Sequence, residues 1–510
     1  MVDAEVEVTR DVIGEVSPHL FGGLLEHMGR CVYGGVWDLQ LQRPRADVLG
    51  AMRSLAPTSL RWPGGCFSAW YRWSDGVGPR ESRPTRARQF WTDNSAHWAR
   101  AAGRDEAEFT AALGPPETHA FGTDEFLRYC VDVNADPLVV VNLGGGNPSG
   151  DGSPEEAARW VNYCNRERRA PRRVEWWGIG NETWGAHEPG HCSPEDYAAR
   201  LREFVAAMRA QDPAIKTIAP GVLVEPGEGA RWNDIVLRDA ADSIDALALH
   251  WYFPGPIGRA RSRGEAELQQ IMTAGDTLGP LLDATIGSID RAVGAGRALP
   301  IVVGEWGLMI DVEDHFATSH WLSDGPFFAG CLNRFIERAD RVTKAYYAQL
   351  VNVLGPIQTD GDGHFVTTAF FVLWLYRRLL RQRAVRATVS GDDVSVAPMP
   401  HLEGRLFGPR AATTARRASV IDACATVDDG GAAVALANRR LDRSAEISIV
   451  GLPARGSGAL VAVTGKDLFA RNSVEWPNAV GVRVWEAQAD RLGRCTVELA
   501  PGAVAIASFA

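Results

Sequence analysis

The chain lacks what would tie it to a membrane, a polyanion or an oxidising compartment. Its longest uncharged stretch, "FVTTAFFVLWLY" (365–376), is about a dozen residues, short of the roughly 18 to 20 that cross a bilayer, and it reads as a core helix. A formal charge of −10 leaves no basic face to follow nucleic acid or an anionic membrane. The one basic cluster, "RERRAPRR" (166–173), reads as a solvated helix end and loop. Eight cysteines are scattered without close pairs, as in a reduced protein rather than a disulfide frame. The opening "MVDAEVEVTR" is acidic where a secretory signal needs a positive start, so the expected location is the cytoplasm. Cofactor signals are absent too. "LGGGNPSGDG" (143–152) lacks the Lys-Ser/Thr of a phosphate loop and the spacing of a dinucleotide fingerprint, and reads as a plain loop. "HEPGHC" (187–192) has no second cluster to complete a metal site, and no G-x-S-x-G elbow occurs.

What is present is ample apolar material, 45% of 510 residues, enough for two cores. Between about residues 20 and 380, short β-branched or aromatic runs alternate with helical patterns, the mark of repeated βα units. Eight strands are expected, at 20–26, 59–62, 137–142, 174–180, 216–221, 245–250, 300–305 and 343–349. Two intervening helices open with Ser-Pro and an acidic first turn. The expected fold is therefore α/β, a (β/α)₈ TIM barrel over residues 16–387. Beyond it, short alternating segments such as "SVIDACATVDDGGAAVALAN" predict an antiparallel β-sandwich over 388–510. The alternating first 15 residues join that sandwich.

In a barrel of this kind chemistry sits at the C-terminal ends of the strands. Glu182 follows the fourth strand and Glu305 ends the seventh, so both carboxyls should face one mouth. Glycosidic cleavage needs such a pair, one carboxyl to protonate the leaving oxygen and one to attack or to activate water. A random Glu would be a surface acid; two at strand ends are not random. Asn181 can reach a sugar hydroxyl, or could merely cap a turn. Glu26 can accept from vicinal hydroxyls, or pair with Arg30 or Arg61. The glycines of "RWPGGC" (61–66) bring backbone close to a ligand and leave Cys66 at the pocket rim, unless Cys66 is an inert core thiol. His250 and Gln349 supply further donors, although a lone His is as readily a core residue. The Tyr252 hydroxyl could hold the attacking carboxylate ionised.

These residues lie in motifs that resemble glycoside hydrolase family 51, the retaining α-L-arabinofuranosidases. The resemblance spans nearly the whole chain and is carried by "FGGLLEHMGRCVYGGVWD" (21–38), "RWPGGCF" (61–67), "DGVGPR" (75–80), "FGTDEFLRYC" (121–130), "WWGIGNETWG" (176–185), "GEWG" (304–307) and "AQLVNVLGPI" (348–357), in the family's order. It implies Glu182 as acid/base and Glu305 as nucleophile, with Glu26, Cys66, Asn181, Tyr252 and Gln349 holding the sugar. It also implies a carbohydrate substrate, no metal or organic cofactor, and a homo-oligomer, hexamers being common in the family. Retention calls for carboxyl groups about 5 to 5.5 Å apart, against about 6.5 to 9.5 Å for inversion. The acid/base should be protonated when substrate arrives, its pKa raised by ionised Glu305.

The chain departs from the family pattern in several places. Leu24 and Met309 stand where aromatic residues are usual, and Gly304 where Asp often precedes the nucleophile. Gly185-Ala186-His187-Glu188 replaces the family's "GCGG". Residues 90–119 look like an insertion over the pocket, with Trp91 and Trp98 available to stack on sugars. Leu24 and Met309 make another pentose or a galactofuranoside-like sugar the alternative substrate; an idle carbohydrate binder is the alternative of another class.

Overall fold

The computed structural model describes all residues except 1, 88–104, 106, 108–114, 145–151, 168–171, 254–262, 295, 310–318, 362 and 399–414. Trp91, Trp98 and most of the glycine-rich segment 143–152 therefore lie outside the described residues. Eight strands form a closed barrel in sequence order: Gly22–Leu24, Ser59–Trp62, Asp136–Val141, Trp176–Ile179, Lys216–Pro220, Ala246–Phe253, Ile301–Leu308 and Val342–Tyr347. Every neighbouring pair is parallel, and the eighth closes on the first through Tyr346 opposite Gly22. Each expected strand is found. The first contracts to three residues, and the sixth and seventh run three residues further than their patterns indicate.

The barrel interior is filled by Leu138, Val140, Ile218, Ala246, Val302 and Tyr346, so it is a packed core and not a pore. The Ser-Pro starts work as capping signals. Ser153 Oγ accepts from the Glu156 amide at 3.2 Å and Ser193 Oγ from the Asp196 amide at 3.1 Å. The apolar run near 370 is a buried helix, Thr368–Leu379. In the basic cluster, Arg172 and Arg173 are ion-paired to Asp136 and Asp212.

The second unit is one continuous ladder of nine strands. The N-terminal strand, Ala4–Glu15, lies inside it, between Arg383–Gly391 and Ala445–Val450. It runs antiparallel to the first but parallel to the second, Ala4 opposite Ile447, so the sheet is mostly rather than wholly antiparallel. The expected boundary at 387/388 falls inside the strand Arg383–Gly391, and the sheet's share of the chain begins at 383. The Asp-Gly bend behaves as its pattern indicates: Ile421–Asp428 pairs with Gly431–Asn438, Asp428 opposite Gly431.

One face of this sheet encloses Val6, Ile421, Leu436, Ile447 and Phe509. The other face, through Ala433, Ala435, Val463, Val504 and Ile506, joins the barrel's own core. At this shared surface Arg439 donates two 2.7 Å hydrogen bonds to Asp276, and Arg334 reaches Asp422 at 2.6 Å. The sheet is thus packed as part of the barrel's outer layer, which leaves the strand ends free for the site.

Candidate active site

Three barrel strands, the fourth, sixth and seventh, build the centre. Glu182 follows the fourth strand in a left-handed backbone conformation, φ 42°, a geometry that costs a non-glycine residue of order 1–3 kcal/mol and clusters at functional sites. Glu305 is the fifth residue of the seventh strand. His250, on the sixth strand, sits between them, its Nδ1 2.7 Å from Glu182 Oε1 and 3.8 Å from Glu305 Oε1. Carboxylate oxygens of Glu182 and Glu305 lie within 4.8 Å of one another. That spacing fits the close pair of double displacement and leaves too little room for the water of an inverting site.

Glu305 accepts from two sides. Arg61 Nη1 donates to Oε1 at 2.7 Å and the Tyr252 hydroxyl to Oε2 at 2.7 Å. Burial, then the charge of Glu305, pushes the Tyr252 hydroxyl well above its ordinary pKa, so it remains a donor. Arg61 also donates through Nη2 to Asn181 Oδ1 at 2.7 Å, which fixes that amide with its NH₂ facing the site and Glu188.

Glu26 accepts from the Phe67 amide at 3.0 Å and from Gln349 Nε2 at 2.7 Å; it pairs with neither Arg30 nor Arg61. Burial, then the nearby charge of Glu305, raises its pKa to about 8. Burial likewise pushes the Cys66 thiol up, reinforced by Glu188, so Cys66 is a protonated contact group and not a nucleophile. The two glycines before it serve the carboxylates themselves. A Cβ on Gly64 would lie 2.6 Å from the Glu26 side chain, and one on Gly65 2.3 Å from Glu305 Oε1. Gly304 has a similar reason: a Cβ there would meet His250 Nε2 at 2.8 Å, so glycine makes room for the imidazole. Leu24 is fully buried in the first strand, and Met309 is half-buried just past the seventh.

The expectation that Glu182 has a raised pKa is overturned. Burial does push it upward, but the charge of His250 and hydrogen bonds from His187 and His250 outweigh burial and hold it at about 2. The sequence reading missed His187 because "HEPGHC" was weighed only as a metal cluster. Successive tight turns, Gly185 N to Glu182 O at 2.7 Å and Glu188 N to Gly185 O at 3.0 Å, fold this segment back on itself. His187 Nε2 thereby comes 2.8 Å from Glu182 Oε2, and Glu188 is buried beside it. Arg61 was visible as a strand end, but nothing in the sequence pointed it at both Glu305 and Asn181. Two triads, Cys66/Glu182/Glu188 and Glu182/His250/Glu305, have donor atoms within 4.8 Å and could hold a cation, though either would capture Glu182. A cleft of about 510 Å³ opens at Trp184, two residues past Glu182, lined also by Cys192, Val222 and Trp232.

Comparisons with known proteins agree with this geometry. The family model described as "Alpha-L-arabinofuranosidase 1 domain" matches residues 51–252, and "Alpha-L-arabinofuranosidase C-terminal domain" matches 304–502. A "Probable alpha-L-arabinofuranosidase C" of Aspergillus fumigatus is 28% identical over 90% of this chain and 89% of its own. An "Intracellular exo-alpha-L-arabinofuranosidase" of Bacteroides ovatus is 27% identical over 94% and 90%. The α-L-arabinofuranosidase of Thermotoga maritima, solved as an arabinose complex, superposes with a TM-score of 0.80 at 28% identity over 99% of both chains. Two models of one family, matched in order along most of the chain and joined to a barrel with the paired carboxyls, allow one assignment: the chain belongs to the α-L-arabinofuranosidases of glycoside hydrolase family 51.

Proposed function

We propose that this protein releases α-L-arabinofuranosyl residues from the non-reducing ends of oligosaccharides by double displacement, with Glu305 as nucleophile and Glu182 as acid/base. The observation that carries the assignment of roles is the pair of carboxylates within 4.8 Å, one just past strand four and one on strand seven. Glu305, held by Arg61 and Tyr252, is oriented to attack an anomeric carbon. Glu182 gives a proton to the departing oxygen and takes one from water in the second step. Its low proton affinity in the empty site suits the second step, where it acts as base; loading it for the first requires the surrounding imidazoles to yield.

Glu26, Cys66, Asn181, His250 and Gln349 surround the sugar in this reading. Gln349 Oε1 is buried and has no hydrogen-bond partner among the described residues, leaving an acceptor for a sugar hydroxyl. The cleft at Trp184 would receive the leaving group, its indole two residues along the chain from the proton donor offering a flat face to a sugar. No described helix is long and apolar enough to cross a membrane. A cytoplasmic location and a homo-oligomer, a hexamer in particular, complete the proposal; light scattering of the purified protein reads the second directly.

The test is hydrolysis of a panel of aryl glycosides followed by proton NMR. The expected result is turnover of the α-L-arabinofuranoside with α-arabinofuranose as first product. Silence on every arabinofuranoside, or a β first product, rejects the reading. Replacement of Glu305 by Ala should remove turnover, whereas an idle binder would lose nothing.

A further inference from the structure

Both oxygens of Glu182 have imidazole partners. Oε1 faces His250 Nδ1 at 2.7 Å, and Oε2 faces His187 Nε2 at 2.8 Å. A carboxyl gripped in this way has no free oxygen from which to protonate a departing alkoxide. The same His187 nitrogen lies 3.6 Å from Glu188 Oε1, and oxygens of Glu188 and Glu182 are within 4.8 Å. Glu188 is 1% exposed, and its Oε2 is buried without a hydrogen-bond partner among the described residues. Besides the weak thiol contact of Cys66, its Oε1 accepts a long 3.4 Å hydrogen bond from Asn181. A buried carboxyl with unused bonding capacity is costly unless it finds a partner at some stage of the cycle.

Building on the acid/base role proposed for Glu182, we infer that Glu188 is a positioning residue, the alternative partner to which His187 transfers when substrate binds, releasing Glu182 Oε2 for the leaving oxygen. Charge balances if the proton on Glu188 passes to Glu182 while the His187 ring moves the other way. His187 paired with ionised Glu182 beside a neutral Glu188 becomes His187 paired with ionised Glu188 beside a neutral, proton-bearing Glu182. Burial, followed by the charge of Glu182, holds the Glu188 carboxyl well above the usual carboxylate range, as the first state requires. The ring lies against the backbone because residue 185 is glycine, where a Cβ would lie 2.3 Å from His187 Cε1. Trp184 meets the ring edge-on at 5.9 Å.

The experiment compares two substrates with the purified full-length enzyme. Methyl α-L-arabinofuranoside has a leaving group that needs a proton; 2,4-dinitrophenyl α-L-arabinofuranoside does not. E188Q, isosteric and neutral, should lower kcat/KM for the methyl glycoside by about tenfold or more, and leave the dinitrophenyl glycoside within about threefold of wild type. Adding H187A should restore much of the loss, because the grip on Glu182 is then gone and no alternative partner is needed. Equal loss on both substrates, no loss on either, or a double variant as slow as E188Q overturns the inference. E182Q run in parallel separates the two readings. If E182Q shows no leaving-group selectivity, the acid/base role itself fails; if it does and E188Q does not, only the role of Glu188 fails.

Discussion

Glu305 gains its precision from donors that are themselves fixed. The Tyr252 hydroxyl is buried and has Glu305 Oε2 as its partner at 2.7 Å, and a hydrogen bond to a charged group contributes about 1.5–3 kcal/mol. Tyr252→Phe removes that bond and should lower kcat by roughly 10- to 100-fold with little change in melting temperature. Glu26 makes a different prediction. Its folded pKa of about 8 lies above the ordinary value of 4.5, so the folded state holds a proton that the unfolded chain has lost in between. The stability tied to that proton is complete below about pH 4.5 and is lost as pH rises towards 8. E26Q abolishes this slope. Apart from a constant offset from the lost acceptor, the melting temperature of E26Q relative to wild type should climb between about pH 5 and 8, and a flat difference would show that Glu26 carries no such proton.

The strand ends and the turns following them do the positioning. The Gly64-Gly65 pair follows strand two and lets backbone pass directly under two carboxylates. Gly65→Ala puts a methyl group 2.3 Å from Glu305 Oε1, which must move. Activity should fall by at least about 10²-fold, since misplacement by about 1 Å can cost that much, while circular dichroism stays unchanged. At this scale the sequence was legible where burial has a period. The runs Val139-Val140-Val141 and Ile301-Val302-Val303, short, β-branched and buried on both faces, read as central parallel strands. The turn after Glu182 was not legible, because its purpose lies in where two tight turns aim His187 and Glu188, and turns carry no periodic signal.

For the whole molecule, sheet and barrel share one core, so their joint is not a hinge between independent bodies. Arg439, buried, pairs with Asp276 across the joint and with Asp422 on its own side of it. Arg439→Ala removes two charge-assisted hydrogen bonds to Asp276 and one of the two arginine partners of Asp422, which keeps Arg334, and should cost about 1.5–3 kcal/mol in denaturant unfolding, with one cooperative transition rather than two. Two separate transitions would show that the units fold independently.

The order of strands and the two glutamates among them were determined by the sequence alone, because alternation, β-branching and caps act over a few neighbours in the chain. The charge state of Glu182 was decided only by tertiary structure. It depends on imidazoles from residues 187 and 250, and on a burial cost set once the barrel has closed and excluded water. A pKa sums over everything within a few ångströms in space, and no reading along the chain supplies that sum.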